Sequence, residues 1–350
     1  MYAPQQFQDP DAPIRSTDND AALARLSATQ KRYLQDPFVR HLVPRALQPA
    51  RPPLINIGTY VRTAAIDTLV DEWIDLAKQS GTKCQILSLG AGSDTRFWRI
   101  AAGPRKDEIA AYIEVDFPEI VLKKAMAIRK SKEMSSLLGN PEEIKIEGGG
   151  RALHSSQYHL LSADLRLRPV ESLEPLFADS KHSANGAPLL SPSLPTLVLF
   201  ECVLAYMSPA QSNDLLQYLV QYMSRGPGVL GCMVYEMFRL KDAFGRVMLV
   251  NLQSRNVTLP GVEPFQTLQD LERRFTDTGF TAARALTLQD IRKNYISESE
   301  LERISKLEFL DETEELDLVL DHYAISWGLY LPSHDVQGQW GHWGLRQKQQ

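Results

Sequence analysis

The chain has 350 residues, 43% of them hydrophobic, and a formal net charge of −5. That is enough apolar material for a sizeable core in one large α/β unit, and a mildly acidic balance with both signs interspersed excludes a non-specific binder of nucleic acid or membrane surface. The three cysteines, Cys84, Cys202 and Cys232, stand far apart in or beside apolar runs, which argues against a disulfide framework or zinc cluster and for a reducing compartment.

Residues 1–20 are polar and proline-rich and read as a disordered tail. They lack the charged-then-apolar layout of a secretory signal, and no apolar run is long enough to span a bilayer. The expectation is a soluble, intracellular, cytoplasmic protein. Residues 21–50 read as helical, and 57–76 continue with helix-period apolar positions at Val61, Ile66, Leu69, Trp73 and Leu76. Helices therefore precede the first strand, Cys84–Leu89, which runs directly into Gly90-Ala91-Gly92-Ser93-Asp94-Thr95. A second strand at 111–115 ends at Asp116, and a third at 158–161 is followed by Asp164.

Residues 176–195 are Ser/Pro/Ala-rich and read as a flexible surface insertion. The most apolar strand, 196–200, ends at Glu201. Ser208-Pro209 then opens a helix with serine as N-cap and proline at the first helical position. Further strands are expected at 228–235, 279–288 and 322–331, with capping-box spacings at Ser297/Glu300 and Asp311/Glu314 between the last two. The segment 333–350 shows no periodicity and reads as a loose tail. The pattern predicts one domain over 21–332, built on a Rossmann-like, mostly parallel seven-stranded sheet with helices on both faces.

In such sheets ligands bind outside the carboxyl ends of the strands. Gly90, Gly92, Asp94, Asp116, Asp164 and Glu201 all fall there. Glycines let the backbone turn tightly and approach a ligand, but a Gly-x-Gly loop alone serves dinucleotide enzymes and methyltransferases alike. Here the third glycine is missing and Asp94 follows at once. A carboxylate at that helix start would oppose a pyrophosphate. S-adenosylmethionine has no phosphate, and its methionine end carries an ammonium, so it is the favoured cofactor over a nicotinamide dinucleotide. A helix cap by Ser93 or Asp94 is the plainer role of this turn, and it is compatible with the cofactor reading. Asp116 suits the two ribose hydroxyls, with a helix N-cap as the plainer role; Glu114 points to the other face. Asp164 suits the adenine amino group, with Leu165 on the ring, or is a turn aspartate. Glu201, ending so apolar a strand, must be paired or functional. Arg62 has the fork to clamp a carboxylate or is a surface arginine. The seven histidines show no metal spacing, and His154 and His159 read as loop residues. No metal and no Ser-His-Asp triad are expected.

The stretches CQILSLGAGSDTRFWR (84–99), IEVDFPEIV (113–121), SADLR (162–166), ECVLAYMSPAQSNDLL (201–216), FGRVMLVNL (244–252), LPGVE (259–263) and SKLEFLDETEEL (305–316) together resemble the leucine carboxyl methyltransferase family. QDPFVRHLV (35–43) and Tyr60–Arg62 match as well. The resemblance implies a class I methyltransferase fold with extra helices forming a lid. It implies adenosylmethionine contacts at Arg62, Gly90, Asp116, Asp164, Leu165 and Glu201. A basic family residue near the N-terminus most nearly matches Arg25. It also implies methyl transfer to the C-terminal leucine carboxylate of the protein phosphatase 2A catalytic subunit, with S-adenosylhomocysteine as the second product. Docking of the folded subunit beside its tail and action as a monomer are expected.

A carboxylate acceptor is already anionic at neutral pH, so no general base is called for. Tyr206, just past the fourth expected strand, is placed to orient the carboxylate. The region 237–265 is the expected substrate pocket, with Met237, Phe238, Phe244, Met248 and Leu249 suited either to a leucine side chain or to the core. The same cofactor motifs would serve a methyltransferase acting on a small acid or hydroxyl, and a silent phosphatase-binding protein is the non-enzymatic alternative.

Overall fold

The computed structural model describes residues 9–44, 50–182, 186–311 and 313–348. Three helices come first: α1 (Ala12–Gln30), α2 (Val39–Leu42) and α3 (Pro53–Gln79). The strands are β1 (Cys84–Leu89), β2 (Ile109–Asp116), β3 (Lys145–Glu147), β4 (Ala152–His154), β5 (Tyr158–Ser162), β6 (Thr196–Glu201), β7 (Leu230–Met237), β8 (Ala282–Thr287) and β9 (Tyr323–Tyr330). Helices α4 (Arg96–Ala101) and α5 (Pro118–Lys130) follow β1 and β2. The sheet order is β3-β4-β5-β2-β1-β6-β7-β9-β8. Strands β5, β2, β1, β6 and β7 are mutually parallel, and β9 runs antiparallel between β7 and β8.

The seven strands expected from the sequence are contiguous in this order and form the class I methyltransferase arrangement. Among the described residues the count is nine. The β3–β4 hairpin extends one edge and was hidden because each strand is three residues long, β3 is wholly exposed, and Gly148-Gly149-Gly150 joins them. His154 and His159 consequently sit on paired strands, not in a loop.

Both faces of the sheet are covered, so the central strands are buried along their whole length. The period of two splits each strand between two cores. Ile86, Leu197 and Leu199 face Leu69, Trp73 and Ile74 of α3, while Leu87, Leu89, Val198 and Phe200 face Leu215, Leu219 and Phe275. Ser208 caps the helix Pro209–Met223 with a complete capping box closed by Gln211.

The described parts of three segments read as loose or flexible are ordered. Residues 12–20 belong to α1; their polar composition carries no helix-period apolar pattern, and only residues 1–8 of that expected tail lie outside the described set. At the other end Trp340 and Trp343 are buried against Trp73, with ring centroids 4.6 and 4.9 Å away. The Trp343 indole N–H donates to Leu69 O at 3.0 Å. The 176–195 segment is also tied down: Phe177, Leu189 and Leu190 are buried, and Leu190 O accepts from the Tyr222 hydroxyl. Residues 183–185 of it lie outside the described residues. Among the described residues no helix is long and apolar enough to cross a membrane.

Trp343→Ala should cost about 3–5 kcal/mol of unfolding free energy in urea denaturation, as truncation of a buried tryptophan does. A loss near zero would return the C-terminal segment to a loose tail.

Candidate functional site

The carboxyl ends of β1, β2, β5 and β6 open into one cavity of about 760 Å³. Its lining includes Arg25, Arg62, Gly90, Gly92, Asp116, Asp164, Leu165, Glu201 and Tyr206, so every residue expected at the cofactor site is brought together. Glu114 is not among them; it is buried on the far side of the sheet, paired with Lys124 at 2.5 Å and accepting from the Tyr158 hydroxyl at 2.7 Å.

The loop after β1 is shaped by two left-handed residues, Gly90 (φ 69°) and Gly92 (φ 49°). A Cβ on Gly90 would lie 2.4 Å from the Val203 side chain, so glycine is required there by space as well as by φ. Gly92 N–H donates to Asp116 Oδ2 at 2.7 Å, and Phe117 N–H to Asp116 Oδ1 at 2.7 Å. Asp116 therefore anchors two backbone turns and is not the N-cap of α5, which is Phe117. A carboxylate has about four lone-pair sites, so each oxygen retains capacity for a hydroxyl donor. Burial pushes the Asp116 carboxyl up to about 6, against the pull of the Gly92 and Phe117 N–H groups.

Glu201 is held between two arginines from different helices. Arg62 of α3 donates through Nε and Nη2 to Oε2 at 2.9 and 2.6 Å, and Arg96 of α4 donates to Oε1 at 3.0 Å. Burial presses the Glu201 carboxyl upward, but Arg62 and then Arg96 bring it below its ordinary value. Arg62 also lies over the Tyr235 ring at 4.4 Å. Arg96 is 2% exposed and reaches Asp67 at 3.1 Å and Asp94 at 2.5 Å as well as Glu201. Asp94 both accepts the Arg96 backbone N–H at 3.0 Å and neutralises its side chain. Asp94 precedes the N-cap, which is Thr95, so the expected helix cap by Ser93 or Asp94 is not what the structure shows, although Asp94 does accept from the first helical N–H.

Arg96 was missed by the sequence reading because nothing in SDTRFWR distinguishes a buried arginine from a solvated one. Asp164 is an Asx-turn residue as well as a cavity residue: Oδ1 accepts the Arg166 N–H at 2.9 Å, and the Arg166 side chain grips both oxygens.

Helix α1 crosses the cavity mouth and is tethered along its length. Arg166 clamps Asp11 just before α1 at 2.6 and 2.8 Å. Asp18 accepts from the Ser93 N–H at 2.6 Å and the Lys123 ammonium at 2.8 Å. Asp20 pairs with Arg51 and Arg255, and Arg25 Nε donates to buried Asp36 at 2.5 Å. This helix stands where the resemblance implies a lid; its residues 12–20 come from the segment read as disordered and its residues 21–30 from the stretch read as helical.

The other end of the cavity is aromatic and apolar, lined by Tyr206, Met237, Leu252 and Tyr323. Burial pushes the Tyr206 hydroxyl up to about 12, with Thr17 of α1 beside it, so it is a neutral donor at pH 7. Of the five apolar residues suggested for this region only Met237 lines the cavity. Phe238 is in a separate core cluster, Phe244 packs on His322, and Met248 and Leu249, on the helix Ala243–Gln253, pack against the cluster of Ala205, Leu240 and Val257. Leu252 was the missed member. No described lining residue is a histidine.

The model of the leucine carboxyl methyltransferase family matches residues 14–220. A leucine carboxyl methyltransferase 1 from Cryptococcus neoformans is 42% identical, with 93% of this chain and 95% of that protein covered. The Bos taurus protein of the same name is 33% identical over 91% of this chain and 90% of its own length. An Arabidopsis thaliana homologue of leucine carboxyl methyltransferase 1 is 33% identical over 95% and 93%.

Arg96→Met should destabilise the ligand-free protein by about 3–5 kcal/mol, because it strands buried carboxylates, whereas Arg166→Met, at a half-exposed clamp, should cost about 1 kcal/mol or less. Equal urea midpoints for the two variants would contradict the hub role of Arg96.

Proposed function

The chain belongs to the leucine carboxyl methyltransferase family and is an S-adenosylmethionine-dependent carboxyl methyltransferase; from that premise we propose that its acceptor is the α-carboxylate of the C-terminal leucine of the protein phosphatase 2A catalytic subunit. The observation that carries this reading is the single cavity with two chemically different ends. One offers carboxylates, an arginine and a glycine-shaped backbone; the other offers a hydroxyl among apolar side chains.

The donor set fits adenosylmethionine. Arg62 and Arg25 would hold its carboxylate, Glu201 its ammonium, Asp116 the ribose hydroxyls and Asp164 the adenine amino group, with Leu165 against the ring. Gly90 and Gly92 let the backbone close in. Bound there, the cofactor supplies a methyl group on a positively charged sulfur. The protein's share is to place the acceptor carboxylate in line and keep water out. Tyr206 orients that carboxylate by donating its hydroxyl proton into a hydrogen bond. The α1 lid closes the mouth. Met237 and Leu252 receive the leucine side chain. No side chain has to take a proton, since the acceptor is ionised.

A short tail gives little specific surface, so the folded subunit docks as well. The helix Ala243–Gln253 borders the cavity through Leu252 and leaves Val247 and Val250 60% and 62% exposed, which suits an apolar contact with that subunit.

With labelled adenosylmethionine, base-labile label should appear on the intact phosphatase subunit and not on one lacking its terminal leucine. Label on neither would move the acceptor to a small-molecule acid. Val247→Asp with Val250→Asp should raise KM for the folded subunit several-fold and leave a tail peptide's KM unchanged; equal effects on both would remove the docking role. Asp116 accepts ribose hydroxyls best when ionised, and its carboxyl titrates near 6. Adenosylmethionine affinity should therefore fall as pH drops below about 6, and Asp116→Asn should bind weakly with no such dependence. A flat profile in the unsubstituted protein would contradict the role of Asp116.

A further inference from the structure

Three of the chain's seven histidines converge at the sheet edge that carries the extra hairpin. His154 in β4 is paired across the ladder with His159 in β5, Nδ1 to Nδ1 at 3.1 Å. His154 also faces Lys145 across the β3–β4 ladder, and the two-residue pleat puts Glu147 on that same face. From the segment after the helix Glu174–Phe177, His182 stacks on the His154 ring at 3.7 Å. Its Nδ1 is 2.9 Å from Asp179 and its Nε2 is 3.1 Å from Glu147. One ligand atom from each of Glu147, His154 and His182 falls within 4.8 Å of the others.

The two nitrogens of His182 each face a carboxylate. Where Asp179 accepts the Nδ1–H, a neutral ring turns its Nε2 lone pair towards a Glu147 oxygen. Lone pairs at that distance repel unless a cation, either a proton or a metal ion, joins them. His154 is buried, and where its Nδ1–H donates to His159 its Nε2 is left as a ligand atom. A histidine whose other nitrogen donates to a carboxylate or to a second acceptor is the usual arrangement around a bound metal. Two carboxylates balance a dication, and an N,N,O donor set suits zinc better than magnesium or calcium.

We propose that Glu147, His154 and His182 bind a divalent transition-metal ion of the zinc class, with Asp179 and His159 orienting the two imidazoles and water completing the shell. The two rings lie nearly parallel, 10° apart, so binding turns the loop-borne His182 ring until both lone pairs converge. The ion would staple residues 178–182 and the β3–β4 hairpin to β5, the strand that leads to Asp164 and Leu165. The site lies outside the cavity, and its role is to stabilise the fold.

The test is equilibrium dialysis of the untagged full chain against zinc chloride, followed by elemental analysis and thermal unfolding. One equivalent should be retained, and the unfolding midpoint should rise with zinc. His182→Ala and Glu147→Gln should each retain at least tenfold less and show no midpoint shift, while remaining folded. Retention by the unsubstituted chain no greater than by His182→Ala would overturn the proposal, as would unchanged binding in both variants. A nitrogen-15 spectrum showing His182 doubly protonated at pH 7.5 in excess zinc would also overturn it, by identifying the joining cation as a proton.

Discussion

A carboxylate at the end of the most apolar strand is the constraint on which the site depends. Glu201 cannot remain ionised there without partners, because an isolated buried charge costs several kcal/mol. It is supplied with two, and they come from different helices: Arg62 from α3 and Arg96 from α4. Meeting the charge requirement of one side chain therefore fixes both helices against the end of β6. Arg96 extends the same network to Asp67 and Asp94. The cavity floor is thus built from a charge network whose members are individually expensive and mutually required. A pre-arranged polar floor is what a proximity mechanism needs, since it orients reactants without reorganising during the reaction.

The lid follows the same logic with weaker parts. Asp11, Asp18, Asp20 and Arg25, on or just before α1, reach partners in four other regions of the chain. Several of these pairs are partly exposed and individually contribute little, which suits a helix that must admit a cofactor and then exclude water. The buried Arg96 hub thus differs from the α1 tethers, of which Asp20–Arg255 is half exposed and Arg25–Asp36 buried. The acceptor end differs from both. There Tyr206 brings a hydroxyl that is neutral at pH 7, which under the proposed function orients an anion without deprotonating it.

Much of this was legible in the sequence, for physical reasons that can be named. Six of the seven main strands are apolar and buried along most of their length, so β1 was read to the residue and the others nearly so; β8, only partly buried, was drawn too long. The strand-end rule then collected Gly90, Asp116, Asp164 and Glu201 before any contact was known. Short, solvated elements carry no such signal: β3 is three exposed residues, and the polar face of α1 conceals a helix whose order comes from ion pairs made with distant residues. Arg96 and the His154–His159–His182 group were invisible for a related reason. Their partners are assembled by the topology, and the spacing along the chain says nothing of it. The single apolar residues of the acceptor end, Met237 against Phe238 for instance, could not be sorted between cavity and core, because adjacent positions on a strand differ only in which face they occupy.

The central claim is that the charged floor is also the cofactor seat, and Arg62 is where the two roles meet. Isothermal titration of Arg62→Met with S-adenosylhomocysteine, beside the unsubstituted protein, tests it most directly. Arg96 still pairs with Glu201 in that variant, so it should remain folded at the assay temperature while its affinity falls at least tenfold. A folded Arg62→Met protein that binds as tightly as the unsubstituted chain would make the Arg62–Glu201 pair purely structural and would contradict the account.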